Sequence, residues 1–130
     1  MPCITISLLR GKPQPYLQAL ADNVHAALVE CFEVPADDRF QRIEQFKAHE
    51  LIFDRHYLAG PRSEDYVLIN ITAGRPRTSA TKQAFYARLA ERLQLQPGIS
   101  PQDVMVVITT NQAEDWSFGN GVAQVIKGSH

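Results

Sequence analysis

Residues 66–77 read Tyr-Val-Leu-Ile-Asn-Ile-Thr-Ala-Gly-Arg-Pro-Arg, and this stretch decides the fold because an earlier one has the same pattern. Residues 3–11 read Cys-Ile-Thr-Ile-Ser-Leu-Leu-Arg-Gly. Both runs alternate, are rich in β-branched residues and end at a break, which predicts two strands. The two runs match residue by residue at an offset of 65 positions: Ile4 matches Ile69, Ile6 matches Ile71 and Arg10 matches Arg75.

A helix is predicted after each of these two strands. Apolar residues recur at spacings of three and four along the first, which is typical of one apolar stripe: Leu17, Leu20, Ala21, Val24, Ala27, Leu28 and Cys31. Thr78 or Ser79 can cap the second helix. The inner face of that helix carries Phe85, Leu89 and Leu93, and Pro97-Gly98 stops it.

The order strand, break, helix, Pro-containing turn and strand therefore occurs twice. We expect an α+β fold in which two pseudo-symmetric βαβ units form one four-stranded sheet with both helices on one face. The expected organisation is a single domain over 1–130, with repeats at about 2–60 and about 65–115 and a C-terminal hairpin at about 116–126. Further strands are expected at 39–46, 51–54 and 104–109. The second face of the sheet then lacks a cover, which predicts oligomerisation.

The composition excludes several classes of partner. With 130 residues and a formal net charge of -1, the chain has no global basic field of the kind that binds nucleic acid. It has no apolar run near the roughly 20 residues that span a bilayer. The amino terminus lacks a basic segment followed by an apolar core, so we expect a cytoplasmic protein. Cysteine and histidine are scattered without ligand spacing, so we expect neither a metal nor another cofactor.

Pro2 is the first candidate for chemistry, because it follows the initiator Met1 at the start of a predicted strand. Removal of Met1 would leave a secondary amine at that position. A free α-amine titrates at a pKa of roughly 8, so its surroundings decide whether it acts as a base or as an acid. The simpler interpretation is an ordinary processed terminus.

Two charged pairs follow predicted elements. Arg75 and Arg77 lie two residues apart in an extended segment, so both guanidinium groups can point to one anion; the alternative is a solvated loop. Asp37 and Asp38 follow the first helix, where Asp commonly stabilises a turn. The repeat counterpart of Asp37 is Asp103, which indicates a turn role for Asp37. Asp38 has no counterpart and is therefore the functional candidate.

The aromatic pair Trp116 and Phe118 can form either an apolar pocket wall or ordinary core. With the other candidates, this pair completes a set of segments that resembles the malonate semialdehyde decarboxylase group of the tautomerase superfamily. The segments cover nearly the whole chain in order: Met1-Pro2, Val34-Pro35-Ala36-Asp37-Asp38-Arg39-Phe40-Gln41, Arg75-Pro76-Arg77, Gly98-Ile99-Ser100-Pro101-Gln102-Asp103-Val104 and Asp115-Trp116-Ser117-Phe118-Gly119.

The resemblance implies a tautomerase-type β-α-β subunit that assembles as a homotrimer. It implies that Pro2 is the catalytic amine and that Asp38 orients or activates a water or a carbonyl. Arg75 and Arg77 would hold a substrate carboxylate, and Trp116 and Phe118 would form the apolar wall. The chain departs from the pattern at two wall positions, with Asn120 where a basic residue is expected and Val125 where an aromatic is expected.

The resemblance leaves several functions open. The first is decarboxylation of a short 3-oxo acid such as malonate semialdehyde, without a cofactor. The second is keto–enol tautomerisation of a 2-oxo acid such as phenylpyruvate, with Pro2 as the base, and the third is hydration of unsaturated acids. A non-catalytic trimer is the fourth, because the Pro2 nitrogen is an amide if Met1 is retained.

Overall fold

A computed structural model describes residues 1–125 of the chain and shows a four-stranded mixed sheet beside two helices. The strands are β1 (Pro2–Leu9), β2 (Gln41–Phe46), β3 (Val67–Ala73) and β4 (Val104–Thr110), and they lie in the order β2-β1-β3-β4. The helices are α1 (Gln14–Cys31) and α2 (Ser79–Leu95), and short 3₁₀ turns span Pro101–Asp103 and Ala113–Asp115.

The topology confirms two βαβ units. Each helix connects a parallel pair of strands, β1 with β2 and β3 with β4. The two units join where β1 runs antiparallel to β3, with Ile4 opposite Ile71 and Ile6 opposite Ile69. The residues that correspond in the sequence repeat are therefore neighbours at the centre of the sheet.

The core lies between one face of the sheet and the two helices. Alternate residues of the central strands point into it, including Ile4, Ile6, Ile69 and Ile71. The rings of Phe32, which follows α1, and Phe85 of α2 lie 5.1 Å apart at the contact between the two halves. Both helices share this one core, as the sequence predicts.

The other face of the sheet carries side chains that the helices do not cover. Cys3 on β1 is exposed, and Met105 and Val107 on β4 are each 41% exposed. These residues alternate with the core positions of the same strands, so they lie on the opposite face. Among the described residues, no helix is both long enough and apolar enough to cross a membrane.

The strand predicted at 51–54 is wrong, because the structure has bends and irregular backbone there. The Asp54 carboxylate accepts hydrogen bonds from the backbone N–H groups of His56 and Tyr57, each at 2.8 Å. Such a side-chain contact stabilises a turn in place of a sheet ladder.

The hairpin predicted at about 116–126 is absent over 116–125, where the structure has turns and bends without paired strands, and residue 126 lies outside the described residues. A side chain takes the place of the backbone ladder. The Gln124 amide accepts from the Phe118 N–H at 2.9 Å and donates to the Gly119 carbonyl at 2.7 Å.

The start of α2 decides between the two predicted caps. Thr78 has extended backbone angles, and its hydroxyl accepts a hydrogen bond from the Thr81 N–H at 3.1 Å. Ser79 is the first residue of the helix and is exposed.

We expect Thr78→Ala to lower the free energy of unfolding by about 1 kcal/mol, because an N–H of the first turn loses its partner. Urea denaturation at fixed protein concentration measures this change. Ser79→Ala is the matched control and should change the midpoint little. Equal losses in the two variants would contradict the assignment of Thr78 as the cap.

Candidate active site

The amino terminus lies at the end of the central strand pair. Pro2 is buried, begins β1 and lies opposite Ala73, the last residue of β3. The Met1 carbonyl accepts a hydrogen bond from the Gly74 N–H at 2.9 Å. The antiparallel register therefore holds the terminus against the loop that follows β3. With Met1 in place, the Pro2 nitrogen is an amide.

Asp38 makes a salt bridge with this terminus. Its Oδ2 lies 2.8 Å from the Met1 ammonium nitrogen, and the carboxylate is mostly buried. The Asp38 N–H donates to the Pro35 carbonyl at 3.1 Å, so the turn after α1 fixes the residue. Asp37 is exposed. The structure thus places Asp38 at the terminus, as the sequence argument favoured.

Asp103, the repeat counterpart of Asp37, has a turn role. Its buried carboxylate accepts hydrogen bonds from the backbone N–H of Ser63 at 2.6 Å and from the Ser63 hydroxyl at 2.7 Å. The carboxylate therefore ties the loop before β3 to the turn before β4.

Arg75 and Arg77 have different surroundings. The Arg77 side chain is 1% exposed and donates to the carbonyls of Phe32 at 3.1 Å and of Arg75 at 2.9 Å. Its guanidinium also lies over the Phe32 ring, 4.5 Å from the centroid. Burial, followed by the positive charge of Arg75, lowers the pKa of Arg77 from its usual value. The Arg75 side chain is 40% exposed and is the more accessible of the two.

Both guanidinium groups converge on one carboxylate, and that carboxylate belongs to the chain itself. Glu33 Oε1 lies 3.0 Å from Arg75 Nη1 and 3.9 Å from Arg77 Nε. The sequence argument predicted the convergence but missed Glu33. No local pattern marks Glu33, because it lies 42 positions from Arg75 in the chain.

A pocket of about 270 Å³ opens beside the terminus. The residues that line it come from the terminus, the loop after β3 and the segment after β4: Met1, Gly74, Arg75, Pro76, Asn111, Gln112, Ala113 and Val125. A Cβ atom at Gly74 would collide with the Met1 side chain and lie 3.0 Å from Trp116 Nε1. Glycine at this position therefore allows the close approach. Val125 lies at the wall as expected, whereas Asn120 is exposed in the C-terminal turn.

The two predicted wall aromatics form a cluster next to the pocket. Trp116 and Phe118 stack with centroids 5.6 Å apart, and Phe118 packs on Phe40 at 5.7 Å. The Trp116 indole N–H donates to the Asn111 amide oxygen at 2.6 Å. Trp116 therefore lies against two residues that line the pocket, Asn111 and Gly74. Phe118 lies further from the pocket than Trp116. Within residues 1–125, no three His, Cys, Asp or Glu side chains come together as a metal site requires.

Comparison with known proteins gives the family. A family model described as "Tautomerase enzyme" matches residues 38–119, and a second model with the same description matches residues 2–60. The chain belongs to the tautomerase superfamily. The probable tautomerase YusQ of Bacillus subtilis (strain 168) is 38% identical over 127 residues, which are 98% of this chain and 100% of that protein. The probable tautomerase YrdN of the same organism is 37% identical over 98% of both chains.

Solved structures agree with this assignment. A malonate semialdehyde decarboxylase, whose structures address decarboxylase and hydratase activities, superposes with a TM-score of 0.89 at 36% identity and 94% coverage of both chains. The FG41 malonate semialdehyde decarboxylase inhibited by 3-bromopropiolate superposes with a TM-score of 0.87 at 38% identity, over 94% of this chain and 92% of that chain. The chain is therefore an enzyme of the tautomerase superfamily, structurally close to this decarboxylase group, and the expected fold is confirmed.

The surroundings of the two arginines predict different losses of stability. Arg77→Ala should lower the free energy of unfolding by about 2 kcal/mol or more, because two carbonyls lose their donor and a buried side chain leaves a cavity. Arg75→Ala should cost less than about 1 kcal/mol, since it removes a half-exposed ion pair. Urea denaturation of the two variants measures both values, and the reverse order would contradict the assigned surroundings.

Proposed function

We propose that this enzyme decarboxylates a short 3-oxo acid, such as malonate semialdehyde, with a proline amine that removal of Met1 exposes. One observation carries the proposal: the Asp38 carboxylate lies 2.8 Å from the Met1 ammonium nitrogen, and Met1 lines the same pocket as Arg75. The 36–38% identity to two malonate semialdehyde decarboxylases supports the same substrate class.

In the proposed mechanism the Pro2 ammonium polarises the 3-carbonyl of the substrate. In this structure Asp38 pairs with the Met1 ammonium; in the Met-free chain the same carboxylate would stabilise a protonated Pro2 amine, which then acts as an acid. As the bond between C1 and C2 breaks, its electron pair moves towards the carbonyl, and the ammonium stabilises the developing enol oxygen. Carbon dioxide leaves, and the enol takes a proton at C2 to give the aldehyde. The sum is 3-oxo carboxylate plus one proton to aldehyde plus carbon dioxide.

Arg75 binds the substrate carboxylate in this mechanism. A guanidinium fork fixes the plane of a carboxylate, so it can hold the C1–C2 bond out of the carbonyl plane, where cleavage is favoured. Arg77 stabilises the backbone of Arg75, because its guanidinium donates a hydrogen bond to the Arg75 carbonyl. Trp116 and Phe118 would form an apolar wall beside the departing carboxylate, which would favour the loss of its charge.

Tautomerisation of a 2-oxo acid is the second candidate, favoured by the curated relatives, which are named probable tautomerases. In that reaction neutral Pro2 is a base, and Arg75 again holds a carboxylate. Hydration of an unsaturated acid, with Asp38 activating water, is a third outcome, because a structural relative has hydratase activity. A chain that retained Met1 would have no amine at Pro2 and would form a non-catalytic trimer.

We further propose that the subunit forms a homotrimer through the uncovered sheet face. Met105 and Val107 expose apolar surface there, next to the exposed Cys3. A fused 4-OT that shares the fold at 20% identity, with a TM-score of 0.76, is a symmetric trimer. Burial of the apolar side chains of this face would be the driving force for association.

NMR-monitored turnover of malonate semialdehyde by mass-verified, Met-free protein tests the proposed function. We expect acetaldehyde as the product, and we expect Pro2→Ala and Arg75→Ala to remove the activity. Turnover at the full rate by Pro2→Ala would show that the secondary amine of proline is not required. Conversion of phenylpyruvate to its enol, without any decarboxylation, would establish the tautomerase instead.

The adjacent aspartates provide a matched pair of variants. Asp38→Asn should lower kcat/KM by about 100-fold or more, because it removes the partner of the catalytic amine. Asp37→Asn should leave kcat/KM within about two-fold, since an exposed carboxylate away from the amine contributes little. Equal effects in the two variants would show that the contact between Asp38 and the terminus is not used in catalysis.

A further inference from the structure

Glu33 has a backbone conformation that its side chain does not favour. It follows the helix end at Phe32 with φ 60°, in the left-handed region. Glycine is the usual residue at such a position after a helix, because a Cβ atom makes the conformation costly. The first half of the chain therefore carries a carboxylate at a position where glycine is the usual residue.

The contacts of Glu33 show what this carboxylate does in the molecule. It reaches across from the end of α1 to the loop after β3, where its Oε1 is 3.0 Å from Arg75 Nη1 and 3.9 Å from Arg77 Nε. Strained backbone of this kind is retained where the surrounding structure or a function requires it. Arg77 is already held by two carbonyls, so the fold does not need Glu33 to position that guanidinium.

We infer that Glu33 is an affinity-determining residue, an internal counter-ion that occupies the carboxylate position of the Arg75–Arg77 pair until a substrate carboxylate displaces it. This inference rests on the proposed function, in which Arg75, supported by Arg77, holds the substrate carboxylate. Glu33 acts through Arg75 and takes no part in bond cleavage.

The exposure of the ion pair makes displacement feasible. Glu33 is 54% exposed and Arg75 is 40% exposed, so water can solvate the carboxylate as it leaves. An exposed ion pair of this kind is weak, whereas a mostly buried one is costly to separate. A bound substrate therefore exchanges the Glu33 carboxylate at Arg75 for its own carboxylate. The free-energy cost of separating the original ion pair is modest.

Removal of the negative charge should strengthen carboxylate binding without a change in the chemical step. For one charge at this distance in a solvated site, we expect the Kd of a substrate-like carboxylate to fall by about five-fold in Glu33→Gln. The KM should fall by the same factor, and kcat should stay within about two-fold. The reason is that the Glu33 carboxylate competes equally with the bound substrate and with the transition state, so its removal stabilises both by the same free energy.

The experiment is calorimetric titration of Met-free protein with 3-hydroxypropanoate, which carries the carboxylate of the proposed substrate but has no carbonyl. Wild type is compared with Glu33→Gln and with Glu33→Gly, which removes the carboxylate and also relieves the backbone. Glu44→Gln is the control, since Glu44 is a half-exposed carboxylate that pairs with Arg42 on β2. In an Arg75→Ala background, Glu33→Gln should have no effect on binding.

The tighter binding should also shrink as salt is added, because salt screens the charge that the variant removes. An unchanged or higher Kd in both Glu33 variants would overturn the inference, as would a fall of equal size in Glu44→Gln. A higher KM with a lower kcat would also overturn it, since it would make Glu33 a support for Arg75.

The binding measurement does not depend on turnover. If malonate semialdehyde is not converted but Glu33→Gln still tightens binding, the proposed function fails and the inference about Glu33 stands. If conversion occurs and the Kd does not change, only the inference about Glu33 fails. Absence of binding to every variant would overturn both, because the arginine pair would then not be a carboxylate site.

Discussion

The antiparallel pairing of β1 with β3 is the constraint on which the candidate site depends. In an antiparallel pair the beginning of one strand meets the end of the other. Pro2 therefore lies opposite Ala73, and the Met1 carbonyl accepts from the Gly74 N–H at 2.9 Å. The loop that carries the arginines starts at this point. A parallel pairing of the same two strands would place the amino terminus at the far edge of the sheet from this loop.

The repeat gives the sheet two similar ends, but their chemistry differs. Arg10 follows β1 as Arg75 follows β3, so each end has an arginine after a central strand. At the Arg75 end, the neighbouring strand begins one residue after the chain's ammonium group, which is on Met1 and which Asp38 contacts at 2.8 Å. At the Arg10 end, the chain continues through Asp65 into β3, so the backbone nitrogen at the start of that strand is an amide and cannot act as an amine. A secondary amine can thus arise at one end of the two.

Local sequence patterns predicted most of the fold. Alternation in 66–72 and the three- and four-residue spacing of apolar residues before Cys31 each depend on neighbours in the chain, and the structure has β3 and α1 there. The errors occurred where a side chain took over backbone hydrogen bonds. Asp54 does so in the segment that was predicted as a strand, and Gln124 does so in the predicted hairpin. Each such contact depends on the rotamer of one side chain. It produces no periodic pattern in the sequence from which it could be predicted.

Sequence alone predicted the two βαβ units, and the spacing of Arg75 and Arg77 predicted that both guanidinium groups point to one anion. The functional role of Asp38 rather than Asp37 stays a prediction. These predictions follow from periodicity and from the comparison of one half of the chain with the other. The tertiary structure was needed to show that Arg77 is buried against Phe32 while Arg75 is accessible, and that Glu33 pairs with Arg75 at 3.0 Å. Glu33 and Arg75 are 42 positions apart in the chain, and packing of α1 against α2 and the sheet brings them together. Contacts across such a separation are set by how the elements pack, which no local pattern encodes.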